Sequence, residues 1–539
     1  MKKLTVLFLA GLLILAFGVT AHAQAPKLEF RASGFIDAQT FFGVNVPQYM
    51  TSSALYGQVN PNFAVPAAIG TGSGRGGVGW NKDDSHWESR AHLKFDAIMG
   101  PNLSGTIFFE IDTVRWGSPR INNPGQGIRE TEQFGSWSTD RASVEVKNVY
   151  IDVGLPYFGI PVPITVRVGA QPIGVRPAML VYTDGMGVTA GIKIDPVLIA
   201  PIYAKPLEGN DFESDDADVL GLHVNAKLGT FTVGGYGLYY NMNSYPFFVP
   251  VPLGIPGSSL ATQLQGTNKA HMWWLGAYAD GKAGPLNLNF DFVYDTGSVE
   301  HGANGGTNHY RSIQYNGWAG RLKVDYPWEK FNFGAVGMYA SGADTYQSSA
   351  SGLVGTLTTL GTTSRRFGGY VVPPASEQGP GNGESMVVYS MEGAATGGYG
   401  LANRSNYAQM SPSGFGGTWF AKLYGSVKTT PWWKVTFQGL YVGDTTKHGN
   451  TLGNAWKFPG ASVAVNGQAA NLLRNDSNIG VELDLINEFQ IYNNLRFFTG
   501  FGYLIAGDAT DVGARYGGIN VNRHIANPWA FRTRLQYTF

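Results

Sequence analysis

Trp529-Ala530-Phe531-Arg532-Thr533-Arg534-Leu535-Gln536-Tyr537-Thr538-Phe539 alternates to the last residue. Successive side chains of a strand point to opposite faces. Trp529, Phe531, Thr533, Leu535, Tyr537 and Phe539 therefore share one face, and Ala530, Arg532, Arg534, Gln536 and Thr538 share the other. One face is aromatic and apolar, the other charged. A strand with lipid on one side and water on the other reads this way for about ten residues.

The same period recurs at the start of the chain. Leu28, Phe30, Ala32, Gly34, Ile36 and Ala38 alternate with Glu29, Arg31, Ser33, Asp37 and Gln39. Trp87, Ser89, Ala91, Leu93, Phe95 and Ala97 alternate with Glu88, Arg90, His92, Lys94 and Asp96. Continued along the chain, this reading predicts an all-β fold, a transmembrane antiparallel β-barrel of 18 strands. Sixteen is the alternative if the weak segments at 163–171, 187–194 and 198–206 fail. The expected connections alternate between tight turns, such as Met99-Gly100-Pro101 and Leu228-Gly229, and long links, the longest at 342–414. Short periplasmic turns and long extracellular loops are the barrel pattern. The 342–414 stretch, rich in Gly, Ser and Thr, reads as a large outer loop. Aromatic pairs near strand ends (Phe41-Phe42, Trp116, Tyr239-Tyr240, Trp273-Trp274, Tyr326 with Trp328, Trp432-Trp433) predict two interfacial girdles.

Composition narrows the class further. Charged residues are 14% of the 539, against about 25% in soluble domains, while Gly reaches 74 and aromatics 13%. Lys plus Arg equals Asp plus Glu at 38 each, so no nucleic-acid partner is expected. The absence of Cys excludes disulfides, thiol catalysis and Cys-ligated metals. At the N-terminus, Lys2 and Lys3, an apolar run and Ala21-His22-Ala23 read as a cleaved signal peptide, 1–23. Residues 24–539 then form a single barrel with no plug domain. No nucleophile elbow or HExxH motif appears, so no enzyme and no catalytic residue is expected. The Gly72–Gly77 match to G-x-G-x-x-G lies in a long loop without a strand before it, which argues against a dinucleotide site.

The terminal Phe539, with Tyr537 and Leu535 at alternate places before it, resembles the assembly signature of bacterial outer-membrane barrels. Lys147-Asn148-Val149-Tyr150-Ile151-Asp152 and Arg167-Val168-Gly169-Ala170-Gln171-Pro172 add to this. Together they make the chain similar to the general (trimeric) porins of Gram-negative outer membranes, in the divergent form found in sulfate- and metal-reducing bacteria. The resemblance implies a homotrimer, contact with lipid and lipopolysaccharide, recognition by the barrel assembly machinery, and an inward-folded loop at about 172–186. That loop carries Arg176 and Asp184, whereas family constriction loops usually carry two or more carboxylates. Strand parity places Arg31, Arg90, His92, Lys94, Arg167, Arg496, Arg532 and Arg534 on the lumen side as a basic wall. Glu29, Glu88, Asp96, Glu110 and Asp112 interleave with them. Three readings of the wall stay open: a transverse field against Asp184, local pairing, or an anion-binding ladder. The acidic run of Asp211, Glu213, Asp215 and Asp216 could take Ca²⁺ at an outer loop, and is otherwise a solvated loop. No other metal or cofactor is expected. The expected function is a water-filled channel for passive, weakly selective diffusion of small hydrophilic solutes and ions. The alternative is a non-porin barrel, such as a polymer-export channel, an adhesin or a sheath for a periplasmic partner.

Overall fold

A computed structural model describes residues 27–47, 80–112, 143–155, 162–208, 216–245, 268–300, 312–342, 366–373, 381, 383–390, 416–447, 451, 455, 457, 474–516 and 519–539. The expected signal peptide lies outside them. The strands are β1 (Leu28–Pro47), β2 (Trp80–Met99), β3 (Leu103–Asp112), β4 (Ser143–Gly154), β5 (Ile164–Val175), β6 (Val181–Ile194), β7 (Val197–Leu207), β8 (Ala217–Leu228), β9 (Phe231–Tyr245), β10 (Asn268–Ala283) and β11 (Leu286–Glu300). They continue with β12 (Ser312–Tyr315), β13 (Trp318–Trp328), β14 (Phe331–Ala340), β15 (Arg366–Phe367), β16 (Thr418–Thr430), β17 (Trp433–Asp444), β18 (Asn478–Tyr492), β19 (Leu495–Ala506), β20 (Val512–Tyr516), β21 (Ile519–Arg523) and β22 (Trp529–Thr538). Leaving aside the short β12, β15, β20 and β21, each strand pairs antiparallel with the next. β22 returns to β1, from Phe35↔Thr538 to Val44↔Trp529. The result is a closed barrel of 18 strands. The three weak segments are all wall strands, β5, β6 and β7, so the count of sixteen falls. No helix among the described residues is long and apolar enough to cross a membrane.

Closure removes every sheet edge, which is what allows strands to stand in lipid. The seam ends on the last residue: Gly34 N donates to Phe539 O at 3.0 Å and Phe539 N to Gly34 O at 3.1 Å. The two faces differ as the alternation requires. On β1, Phe30 is 74% and Ile36 52% exposed, while Asp37 and Gln39 between them and the next strand are 2% and 3% exposed. Leu93-type outward positions recur around the wall, with Phe95, Ile107, Ile151, Leu222, Leu275, Leu423, Phe437 and Leu485 all exposed. An apolar surface this continuous on a folded chain is a surface for lipid.

The girdle expectation is corrected by parity. Adjacent aromatics cannot both face lipid, because neighbouring side chains alternate. Trp273 is 45% exposed and stacks on Tyr239 at 4.5 Å, but Trp274 is 0% exposed and points inward. Phe41 and Tyr240 are likewise buried inside, whereas Tyr326, Trp328 and Trp432 stay on the outer surface. Trp116 lies outside the described residues.

The lumen is unevenly filled. β5 pairs with β4 only up to Ala170, and β6 joins β7 only from Gly187. Between these points the two strands pair solely with each other, out to Val175↔Val181. Residues 171–186 are thus a hairpin that leaves the wall. Its Ile173, Val175, Met179, Leu180 and Val181 are buried in one apolar cluster with the inner faces of β7 to β11, among them Val219, Leu238, Met272, Trp274 and Val293. The apolar core of this protein is therefore inside the barrel, and Val336, Phe420, Leu440 and Leu504 of the later strands belong to the same cluster.

Candidate functional site

The lumenal faces of β1 to β4 and β22 carry a dense set of charges, and the strand register decides how it is arranged. Arg31, Arg90, His92, Lys94, Arg167, Arg496 and Arg534 of the expected basic residues each meet a carboxylate. Arg31 Nε lies 2.7 Å from Glu29 and Lys94 Nζ 3.0 Å from Asp96, both within a strand. Arg90 and His92 reach Glu110 of the neighbouring β3 at 3.2 and 2.8 Å. Arg167 grips Asp152 with two bonds of 2.7 and 2.9 Å and lies 4.0 Å from the Tyr150 ring. Arg534 clasps Asp37 across the seam at 2.5 and 2.9 Å, and Arg496 approaches Glu488 at 3.5 Å. Arg532 donates to Gln39 and stacks over Phe41 at 4.9 Å. Glu88 is fully buried beside His86 at 3.2 Å. Asp112 ends β3 in register with Arg90. This is the local-pairing arrangement, with opposite charges interleaved within a few ångströms.

Asp184, expected to oppose the basic wall across the lumen, is itself held by the wall. Lys147 Nζ lies 2.9 Å from its carboxylate and Asn148 Nδ2 donates to it at 2.6 Å. A β-bulge puts those two residues there. The register steps from Phe108↔Asn148 to Phe109↔Val146 and leaves Lys147 extra. Val146 and Val149, on either side, both face outward, so Lys147 and Asn148 both turn inward. Lys147 also reaches Glu110 at 3.0 Å, so the hairpin, β4, β3 and β2 share one polar network.

Arg176 sits at the hairpin tip, in the left-handed region at φ 43°. Its guanidinium donates to Asp291 of β11 at 2.5 Å and to Asp280 of β10 at 2.6 and 3.2 Å, and covers the Tyr278 ring at 4.1 Å. Strand parity alone did not pick out Asp280, Asp291 or Lys147 as partners, because it cannot tell which strands a lumenal hairpin crosses to.

The 342–414 stretch, expected as an outer loop, contributes two segments to the lumen. In the first, Tyr370, Val371 and Val372 are buried. Tyr370 Oη donates to Met179 O of the hairpin tip at 2.5 Å, and Trp274 Nε1 donates to Val371 O at 2.9 Å. In the second, residues 383–390, Met386, Val387, Val388 and Tyr389 are buried against β16, β18 and β19. The signal for it is an apolar Met-Val-Val-Tyr run inside an otherwise Gly- and Ser-rich loop. Glu384 of this segment receives bonds from Arg321 of β13 and Lys422 of β16. Burial alone would raise its carboxyl, but the charges and hydrogen bonds of Lys422 and Arg321 outweigh that and hold it below the ordinary glutamate value.

Of the possible Ca²⁺ ligands, Asp211, Glu213 and Asp215 lie outside the described residues, and Asp216 pairs with Lys205 at 3.3 Å. Asp508, Asp511 and His524 come together near the outer end of β19. Arg474 already occupies that cluster, 2.8 Å from Asp511 and 3.9 Å from Asp508. Leu535, Tyr537 and Phe539 are exposed along the outer face of the seam.

No family model matches the sequence, and no curated protein does. Among solved structures, the chain is similar to Pseudomonas aeruginosa OccK11 (OpdR), with 9% identity, a TM-score of 0.44, and coverage of 96% of this chain and 99% of that one. It is also similar to Acinetobacter baumannii OccAB3, with 7% identity, a TM-score of 0.45, and coverage of 94% and 99%.

Proposed function

We propose that the protein is an outer-membrane channel of a Gram-negative cell, through which small hydrophilic solutes and ions diffuse passively with weak charge selectivity. The observation that carries this reading is the closed 18-strand wall, apolar on the outside and lined with ionised side chains along β1 to β4, β18, β19 and β22. A barrel of this strand number is wide enough to hold water inside. The hairpin and the first loop segment narrow it from the β7–β11 side and the second loop segment from the β16–β19 side, leaving the charged faces of β1 to β3 and β22 to the hydrated path. Interleaved pairs hydrate the path while their fields largely cancel beyond a few ångströms, so neither ion sign is strongly favoured. Solutes are sorted by size first. The chain acts as a homotrimer in this reading, as its resemblance to general porins implies.

Purified protein in a planar bilayer should produce ohmic conductance steps, grouped in threes for a trimer, and a reversal potential near zero in a salt gradient. Absence of conductance at any salt concentration would refute the channel reading, and a strong preference for one ion sign would refute weak selectivity.

A further inference from the structure

The segment 383–390 is seated on the inner wall by one carboxylate. Glu482 of β18, fully buried, accepts three consecutive backbone N–H groups, from Met386 at 2.9 Å, Val387 at 2.5 Å and Val388 at 2.9 Å, and the Ser385 hydroxyl at 2.8 Å. The adjacent strand is shaped for the same segment. A Cβ at Gly502 of β19 would fall 2.5 Å from the Met386 Cβ, and one at Gly500 would fall 2.7 Å from its Sδ. At Gly502, where Asp484 Oδ1 also lies 2.5 Å from that position, a Cβ would not fit while the segment is in place; at Gly500 the end of the Met386 side chain would have to shift.

From that seat Glu384 meets two wall cations at once. Arg321 Nη2 donates to its carboxylate at 2.6 Å, Lys422 Nζ donates to the other carboxylate oxygen, and the same Nζ donates to the Glu384 carbonyl at 2.9 Å. Arg321 and Lys422 belong to the barrel wall, whereas their counter-charge arrives on a loop. The hairpin supplies comparable cases, Asp184 to Lys147 and Arg176 to Asp280 and Asp291, whereas the pairs along β1 to β3 and the seam lie within one strand or between neighbours.

We infer that Glu384 determines the ion preference of the channel, by cancelling Arg321 and Lys422 from a loop that Glu482 pins to the wall. The inference rests on the channel reading above and deepens it. Without the Glu384 charge, the lumen gains one unit of positive charge on the β13–β16 side. At a distance of about 10 Å in water, one unit charge changes the local concentration of each ion about twofold, in opposite directions for the two signs.

Reversal potentials in a potassium chloride gradient test this on the full-length protein. Glu384→Gln is expected to raise the anion-to-cation permeability ratio roughly fourfold. Adding Lys422→Met to Glu384→Gln restores the original net charge and is expected to bring the ratio back. Lys422→Met alone is expected to move it the other way, toward cations, and serves where Glu384→Gln fails to assemble. A ratio unchanged in both single variants, or a Glu384→Gln shift that Lys422→Met does not reverse, would overturn the inference and leave the channel reading intact. A wild-type protein that does not conduct would instead overturn the channel reading itself.

Discussion

Replacing Arg176 by Met is expected to leave the lumenal hairpin where it is. Arg176 makes three charged hydrogen bonds to Asp280 and Asp291 and covers Tyr278. Removing one partner from a buried pair costs about 3–5 kcal/mol. The lower end applies here, because Asp280 is partly open to water. Against that stand Ile173, Val175, Met179, Leu180 and Val181, all buried on the inner wall. At about 1.5–3 kcal/mol for each such side chain, their burial contributes on the order of 10 kcal/mol. The apolar contact therefore outweighs the ion pairs. Arg176→Met should keep the wild-type single-channel step while its reversal potential moves toward cations, because Asp280 and Asp291 lose their counter-charge. The double variant Met179→Ala, Leu180→Ala removes about 2–5 kcal/mol at each position. It should free the hairpin and enlarge the step. The absence of Cys from the chain supplies a second readout. A single cysteine placed at residue 180 should resist a polar thiol reagent in the Arg176→Met background and react when Met179→Ala is added. An enlarged step in Arg176→Met, with an unchanged one in the double alanine variant, would refute the reasoning, since charge rather than apolar packing would then hold the hairpin.

Three other outcomes are expected. Glu482→Gln weakens four hydrogen bonds of a charged acceptor, worth about 1.5–3 kcal/mol each at most, so it should loosen residues 383–390 and raise the open-channel current noise. The shifted Glu384 sets a pH dependence. Its carboxyl is depressed in the folded protein, so its pairing is complete at the ordinary glutamate value of 4.5 and above, and is lost only as pH falls through the lower folded value. The difference in reversal potential between wild type and Glu384→Gln should thus be full at pH 7 and still full at pH 4.5; a difference already half lost at or above pH 4.5 would contradict this. Arg534→Ala should shift selectivity toward cations more than Arg90→Ala, because Glu110 keeps His92 and Lys147 while Asp37 has Arg534 as its cationic partner among the described residues. Equal shifts in the two variants would count against the pairing shown by the strand register.

The wall was legible from one sequence because lipid and water impose a period of two that little else imposes so strictly. Parity sets Arg532, Arg534, Asp37 and Gln39 opposite the lipid-facing residues; in the structure Asp37, Gln39 and Arg532 are buried, while Ile36, Leu535 and Tyr537 are exposed. Legibility fails where one of the two solvents is missing. The inner faces of β7 to β11 touch the hairpin instead of water, so Val219, Leu238 and Trp274 are apolar where the pattern calls for charge. This is why the short segments at β6 and β7, with one lysine each, read weakly. Parity also fails across the Lys147 bulge, where one extra residue exchanges the faces. Partners such as Arg176 with Asp280, or Glu384 with Lys422, join residues 104 and 38 positions apart. No local pattern specifies these, since they depend on which way a loop folds once the cylinder has closed.

The uneven filling of the lumen has a consequence for the backbone. Amide hydrogens of β8 to β10 are screened by acyl chains without and by packed side chains within, so solvent deuterons approach them from neither direction. Those of β1 to β3 have the wet conduit against one surface. In detergent or bilayer, isotope uptake should divide the cylinder lengthwise into a slow arc and a fast arc, with the boundary where the hairpin leaves the wall between β4 and β7.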